Sequence, residues 1–390
     1  MKKILLCITG SIAAYKSADL ASKLVSKGYD VHVIMTRNST KFITPMVFET
    51  LTKNRVYIEL FQDDEYTHLT HISSAQEADL ILVAPATYNI IGKMACGIAD
   101  DLLSSILAAA SPDKVIMAPA MNVNMYNNQA LTDNIEILKN RGASFIVPDE
   151  GMLACGDVGK GRMRNIPSIL ESVNAFFCEK LLLGKNILIT AGATREYLDP
   201  IRFISNSSSG LMGLSIAKAC RNMGAEVTLI LANSHLNTDT IKESINIVDV
   251  CTVREMYEAT IANYKEADIV FAAAAVSDYK PKNYSEQKIK KADDTLILEM
   301  ERNIDILFEL GKTKTHQKLI GFAAESENLL ENALKKLERK NLDMIIANGL
   351  SNFGSKSGGV TIISRDNITN IPEQDKETLA YEILKAVIKE

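Results

Sequence analysis

Six side chains stand out as able to do chemistry: His71, Asn122 and Cys155 in the first half, and Arg202, Asn206 and Lys288 in the second. His71 precedes an apolar helical pattern leading to Glu77, where a lone imidazole serves either as a general base or as a packed structural histidine. Asn122 closes VIMAPAMN, either as a strand-end turn residue or as one of the polar strand ends that converge on a crevice. Cys155 lies in EGMLACGDVGKGRMRN among Gly151, Gly156, Gly159 and Gly161. That segment reads as a surface loop with an incidental thiol, or as a hinged lid that closes over a substrate and presents an acid. Cys7, Cys96, Cys178, Cys220 and Cys251 sit in apolar stretches and read as small core residues.

In the second half, DPIRFISNSSSG places Arg202 and Asn206 before three serines and Gly210 at a helix start. The serines make either a generous N-cap or, with the arginine, an anion site. Asp278 follows the apolar run of AAAAVSDYKP, where it can meet a nucleotide or its cation. KIKK, Lys288 to Lys291, is a basic tetrad in an acid-balanced half, either a solvated face or a device for offsetting negative charge. Lys336 and Lys340 are four apart and so share one face of an expected helix, a spacing that a plain amphipathic helix also shows. Neither half carries GxGxxG after its first strand, and no GxxxxGK[ST] loop is present. A two-domain NAD dehydrogenase and a P-loop ligase are both disfavoured.

These residues need elements to position them, and the chain supplies the same grammar twice. KKILLCITGS, a helical pattern through Ala21 and Leu24, Gly28 and VHVIMT spell strand, turn, helix, glycine, strand. KNILITAG, LMGLSIAKACRNMG and AEVTLILA repeat it, and EADLILVAPAT is echoed by EADIVFAAAAV. The offset is 183 at the first strand (Lys2 to Lys185) and 196 at the second (Val31 to Val227), so about thirteen extra residues enter after the first strand of the second half. Insertions at that place in such folds meet ligands. The expectation is two Rossmann-like, doubly wound α/β domains with mostly parallel sheets, residues 1–183 and 184–390, joined by a helix over 171–184 that stops at Gly184. Polar strand ends in each half, Gly10, Ser11, Thr87 and Asn89 in the first, should converge on one crevice.

Composition narrows the partners. The 43 basic and 48 acidic residues give a net charge of -5 without a basic block, which argues against nucleic acid. No run of eighteen apolar residues is present for a membrane span. The N-terminal apolar run, Ile4 to Ile8, is short and broken by Thr9-Gly10-Ser11, so it reads as a buried strand and not as a leader. Six cysteines without a CxxC pair argue against both a disulfide framework and a zinc site and point to a reducing compartment, most simply the cytoplasm.

GSIAAY, APAT-x-N, PAMNxxM (Pro119 to Met125) and ACGDxGxGRM (Ala154 to Met163) together resemble the flavin-dependent cysteine decarboxylases. With DPxRFISNxSSG and KIKK included, nearly the whole chain resembles the bifunctional phosphopantothenoylcysteine decarboxylase / phosphopantothenate-cysteine ligase family of bacterial coenzyme A biosynthesis. The resemblance implies FMN in the first half, held by Gly10, Ser11, Ile12, Thr36, Thr87, Asn89 and Ala120. It makes His71 the base, Asn122 the holder of the substrate carboxylate and Cys155 the proton donor. Oxidation of the substrate's thiol end by the flavin creates the electron sink that lets CO2 leave, and a neutral amide binds the carboxylate without stabilising it against departure.

For the second half, the resemblance implies CTP with Mg2+, an acyl-cytidylate of phosphopantothenate, and attack by the amine of cysteine. Lys288 is carried over as catalytic, Arg202 and Asn206 as holding the acyl intermediate. Asp278, Asn303, Ile304, Asp305, Ile306, Leu307, Phe322, Lys336 and Lys340 contact the nucleotide, with Asp278 the one residue offered to Mg2+. Family members typically carry Lys where this chain has Leu211. Relatives assemble through both domains, so a homo-oligomer is expected. The alternative is a non-catalytic flavin-binding regulatory or partner-binding protein of the same fold.

Overall fold

The computed structural model describes residues 1–61, 70–152, 156–242, 244–290, 296–325, 329–349 and 355–390. Cys155 and Lys291 therefore lie outside the described residues. The chain divides into two compact units, Met1–Val173 and Asn174–Glu390.

In the first unit β1 (Lys3–Ile8) leads into α1 (Ala14–Ser26), β2 (Asp30–Met35), α2 (Pro45–Thr52) and β3 (Val56–Tyr57). Then come α3 (Thr70–Glu77), β4 (Leu80–Ala86), α4 (Tyr88–Cys96), α5 (Leu102–Ala109), β5 (Val115–Pro119), α6 (Val123–Tyr126), α7 (Gln129–Asn140) and β6 (Ser144–Phe145). An antiparallel ribbon, β7 (Asp149–Met152) and β8 (Val158–Arg162), precedes α8 (Ile166–Phe177). β1 to β6 form a parallel sheet in the order β3-β2-β1-β4-β5-β6. β4 is buried along its whole length, as a parallel strand covered on both faces must be. In α1, Ala14, Ser17, Leu20, Ala21 and Leu24 are buried at the spacing of one helical face. The strand order reverses between β1 and β4, which opens a crevice at their carboxyl ends.

The second unit repeats this order and extends it. β9 (Asn186–Gly192) is followed by the hairpin β10 (Arg195–Tyr197) and β11 (Phe203–Ser205), then α9 (Leu211–Asn222), β12 (Glu226–Ala232), β13 (Asn246–Val250), α10 (Val253–Tyr264) and β14 (Ile269–Ala272). A ribbon of β15 (Tyr279–Pro281) and β16 (Met300–Arg302) leads to α11 (Ile306–Thr313), β17 (Lys318–Glu325), α12 (Leu329–Arg339), β18 (Met344–Gly349), β19 (Ser357–Ser364), β20 (Ile368–Asp375) and α13 (Lys376–Lys389). The sheet order is β13-β12-β9-β14-β17-β18-β19-β20, parallel as far as β18 and antiparallel over the last two strands. Alternation along the strands separates two cores. Ile189, Phe271, Ile320 and Ile346 face α9 and α13, whereas Leu188, Val270, Leu319 and Ile345 join the core that holds Val253, Met256 and Leu337. Two Rossmann-like α/β domains with mostly parallel sheets are thus present as expected. The inserted residues after β9 form the β10–β11 hairpin and the loop leading to α9.

Three expectations need correction. The helix expected over 171–184 begins earlier, at Ile166, and stops at Phe177. Beyond it Leu182 is 3% exposed in the core of the second unit, its amide bonded to the Met223 carbonyl at 2.9 Å, so tertiary docking overrides local helix propensity. The apolar run over 269–276 is strand only as far as Ala272, although the Ala273 and Ala275 amides still bond to Thr190 and Gly192 carbonyls of β9. Of the cysteines read as core, Cys7 and Cys220 are buried, but Cys96 is exposed and Cys178 and Cys251 are partly so. Cys96 ends α4, where Gly97 in the left-handed conformation turns the chain outward. Among the described residues no helix is long and apolar enough to cross a membrane.

Candidate active sites

The crevice of the first unit is a cavity of about 880 Å3 at the carboxyl ends of β1 and β4. Gly10, Ser11, Thr36, Thr87, Asn89 and Ala120 line it. Ile12 does not; it is 59% exposed, turned out of the β1–α1 loop. A Cβ at Gly10 would come within 2.7 Å of the Asn38 Cβ, so the glycine lets the loops after β1 and β2 approach at the cavity floor. The N-terminus of α4 has no side-chain cap, and Thr87 and Asn89 stand there against the cavity. Uncapped amides with hydroxyl and amide side chains suit an anionic, polyhydroxylated ligand, so this cavity fits the phosphate and ribityl end of a flavin nucleotide.

Thr9 was missed by sequence reasoning. It is buried, donates to the Pro85 carbonyl at 2.7 Å and accepts the Thr87 amide at 3.1 Å. Lys93 also lines the cavity, clamped between Asp100 (2.5 Å) and Asp101 (2.6 Å).

Asn122 caps α6, its Oδ1 accepting the Asn124 amide at 2.8 Å, while its Nδ2 donates to Asp157 at 2.9 Å. The β7–β8 ribbon lies over this turn. The Met121 amide donates to the Gly161 carbonyl at 2.9 Å, and a Cβ on Gly161, where φ is +145°, would sit 2.4 Å from the Met121 carbonyl oxygen. The glycine-rich segment is therefore seated on the loop that bears Asn122. His71 lies in the first turn of α3, partly buried and outside the residues lining the cavity.

The crevice of the second unit is a cavity of about 320 Å3. Ser208, Ser209 and Gly210 line it at the start of α9, and the Ser208 and Ser209 hydroxyls accept the Gly210 and Leu211 amides at 3.3 and 3.4 Å. Asp278, Ile304 to Leu307, Phe322, Lys336 and Lys340 line it from the other side. Lys340, one residue past the end of α12, reaches the Asp305 carboxylate at 2.7 Å, and Asp305 in turn caps α11 through the Phe308 amide. Lys376, missed from sequence, also lines the cavity; it is buried, and burial lowers the pKa of its ammonium.

Asn303, Arg202, Asn206 and Lys288 are not brought to that cavity. Asn303 borders it, its amide donating to the Asp278 carbonyl at 2.8 Å. Arg202 is bonded to Asp199 and to the Ile289 carbonyl, next to exposed Lys288, while Asn206 is exposed beyond β11. Among the described residues no cluster of three metal-ligating side chains occurs.

Residues 1–178 match the family model described as Flavoprotein, and residues 182–390 match the DNA/pantothenate metabolism flavoprotein C-terminal domain. The coenzyme A biosynthesis bifunctional protein CoaBC of Bacillus subtilis (strain 168) is 43% identical over 99% of this chain and 96% of its own length. That of Borreliella burgdorferi is 45% identical over 98% of both chains. The chain belongs to the CoaBC family. It is a bifunctional enzyme of coenzyme A biosynthesis, with a flavoprotein decarboxylase half and a ligase half. Among solved structures, the C-terminal domain of a CoaBC protein is 41% identical, covering 54% of this chain and 97% of that one, with a TM-score of 0.47. Membership in the CoaBC family disfavours the non-catalytic alternative.

Proposed function

We propose that the first unit converts 4'-phospho-N-pantothenoylcysteine to 4'-phosphopantetheine and CO2 with FMN. The second supplies that substrate, joining 4'-phosphopantothenate to L-cysteine through an acyl-cytidylate with CTP and Mg2+, so the ligase product is the decarboxylase substrate. The observation that carries this is the pair of switch-point cavities in one chain, the first edged by an uncapped helix N-terminus, the second by serines and lysines. The activities fall to residues 1–183 and 184–390 respectively.

In the first unit FMN, when bound, supplies the oxidising equivalent that makes loss of the carboxylate feasible. Asn122 holds that carboxylate, which takes the place of the Asp157 carboxylate on Nδ2. His71 removes a proton and Cys155 returns one. In the second unit Lys336, Lys340, Ser208, Ser209 and Ile304 to Leu307 hold the nucleotide, with Phe322 alongside and Asn303 at the border of the cavity. Asp278, a carboxylate that lines the cavity, would meet the Mg2+ bound to the triphosphate. Lys288 offsets charge as the substrate carboxylate attacks the α-phosphate, and Arg202 and Asn206 hold the activated acyl group. The enzyme acts in the cytoplasm as a homo-oligomer.

The test follows pyrophosphate and CO2 from phosphopantothenate, cysteine, CTP and Mg2+; the absence of both sinks the assignment. Cys155→Ser should stall CO2 release while pyrophosphate continues, and Lys288→Gln should do the reverse when the intermediate is supplied.

A further inference from the structure

Asp199 takes no part in the roles assigned above, yet its side chain is 0% exposed and saturated with donors. Its Oδ1 accepts the amides of Ile201 and Arg202, both at 2.8 Å, closing the turn that follows β10. Its Oδ2 accepts Nη1 of Arg202 at 2.5 Å and the amide of Ile289, ninety residues further on, at 3.0 Å. Nη1 of Arg202 also donates to the Ile289 carbonyl at 3.0 Å, and the Ser285 amide donates to the Leu198 carbonyl at 3.0 Å. The segment carrying Lys288 is thus pinned to the 198–202 loop on both sides of that lysine. Burial alone would raise the Asp199 carboxyl, but three backbone amides and the guanidinium outweigh it and hold the group well below the usual carboxylate range.

A turn-forming residue needs only the first oxygen. Asparagine would keep that bond, but its Nδ2 would face two donors, the Ile289 amide and the Arg202 guanidinium. The second oxygen accounts for the carboxylate at this position. We propose that Asp199 is a positioning residue for the ligase reaction, holding Arg202 and the Lys288 segment in one frame so that both cations reach the reacting carboxylate together. This rests on the assignment of Lys288 and Arg202 to ligation.

The experiment uses the full chain and measures pyrophosphate release together with CO2 from supplied 4'-phospho-N-pantothenoylcysteine. Asp199→Asn should lower kcat for pyrophosphate release by about tenfold to hundredfold, the scale of a small misplacement, with a smaller change in KM for CTP and unchanged decarboxylation. Asp199→Asn in a Lys288→Gln background should cost little beyond Lys288→Gln alone, because the two act through one element. Additive losses, or wild-type kcat in Asp199→Asn, overturn the proposal. Should Asp199→Asn unfold the second unit, Asp199→Ser, which keeps an oxygen for the turn amides, replaces it; unfolding of both shows a purely structural carboxylate and also overturns it. If the unsubstituted chain releases no pyrophosphate, the functional assignment fails, and not this one.

Discussion

The hydroxyl of Thr9 bridges the Pro85 carbonyl and the Thr87 amide, so the end of β1 is fastened to the start of α4 across the switch point of the first unit. The second unit uses the same device: Thr194 Oγ1 accepts the Ser277 amide at 3.1 Å, and Thr190 Oγ1 accepts the Ala274 amide at 3.4 Å. Thr9 and Thr190 also line the crevices beside them.

Thr9→Val keeps the shape and removes both bonds, leaving a buried carbonyl and amide unsatisfied at a cost of about 1–3 kcal/mol. Flavin absorbance per protein should fall and the first unit should melt earlier, while pyrophosphate release is retained. Unchanged flavin content would show that the bridge does not shape the cofactor cavity.

Gly161→Ala sets a Cβ against the Met121 carbonyl at a φ that disfavours side chains, a strain of roughly 1–3 kcal/mol. The ribbon must lift from the loop bearing Asn122. Decarboxylation should drop at least about tenfold, by the same small-misplacement scale, with ligation unaffected. Steady-state CO2 release is the measurement, and wild-type rates would refute the seating of the ribbon as a requirement.

Acid sensitivity should depend on Asp101. Burial pushes its carboxyl up, but hydrogen bonds from Lys93 and Ser104 outweigh this and leave its pKa lowered. A folded pKa below the unfolded one means that its stabilisation is complete above the unfolded value, near pH 4, and is lost as pH falls through the folded value. Asp101→Asn should lower the urea midpoint of the first unit at pH 7 and flatten its decline between about pH 5 and 3. An unaltered slope would assign the acid response to other carboxylates.

Thiol reactivity should separate the cysteines by burial. Cys7 and Cys220 are completely buried, and desolvation raises both thiols far above their usual range, whereas Cys96 is exposed. Brief alkylation of native protein at pH 8 should mark Cys96 and spare Cys7 and Cys220 until denaturant is added, as read by peptide mass spectrometry. Labelling of Cys7 in the native state would contradict a closed first strand.

Much of the fold was legible because parallel strands covered on both faces must be apolar almost without interruption, as KILLCI and LILVAPA are. Polar residues that break such runs at the carboxyl ends, Gly10, Ser11, Thr87 and Asn89, stand out by contrast. Thr9 did not, because a threonine at the end of a strand looks like any other β-branched strand residue. Lys376 was hidden for a different reason: it begins the last helix, and only the folding of α13 against α9 brings it to a cavity whose serines lie far earlier in the chain.

By itself the sequence determined two doubly wound halves, their crevices and most of the polar residues that edge them, since periodicity and strand-end chemistry are local. Only the tertiary structure decided that Leu182 belongs to a core and not to a helix, that Cys96 is exposed, and that Asn122 is bonded to the ribbon through Asp157. It also decided that Asp199 meets Ile289 across ninety residues. A buried carboxylate accepts whatever donors the folded chain delivers, and neither spacing nor propensity encodes which ones those are.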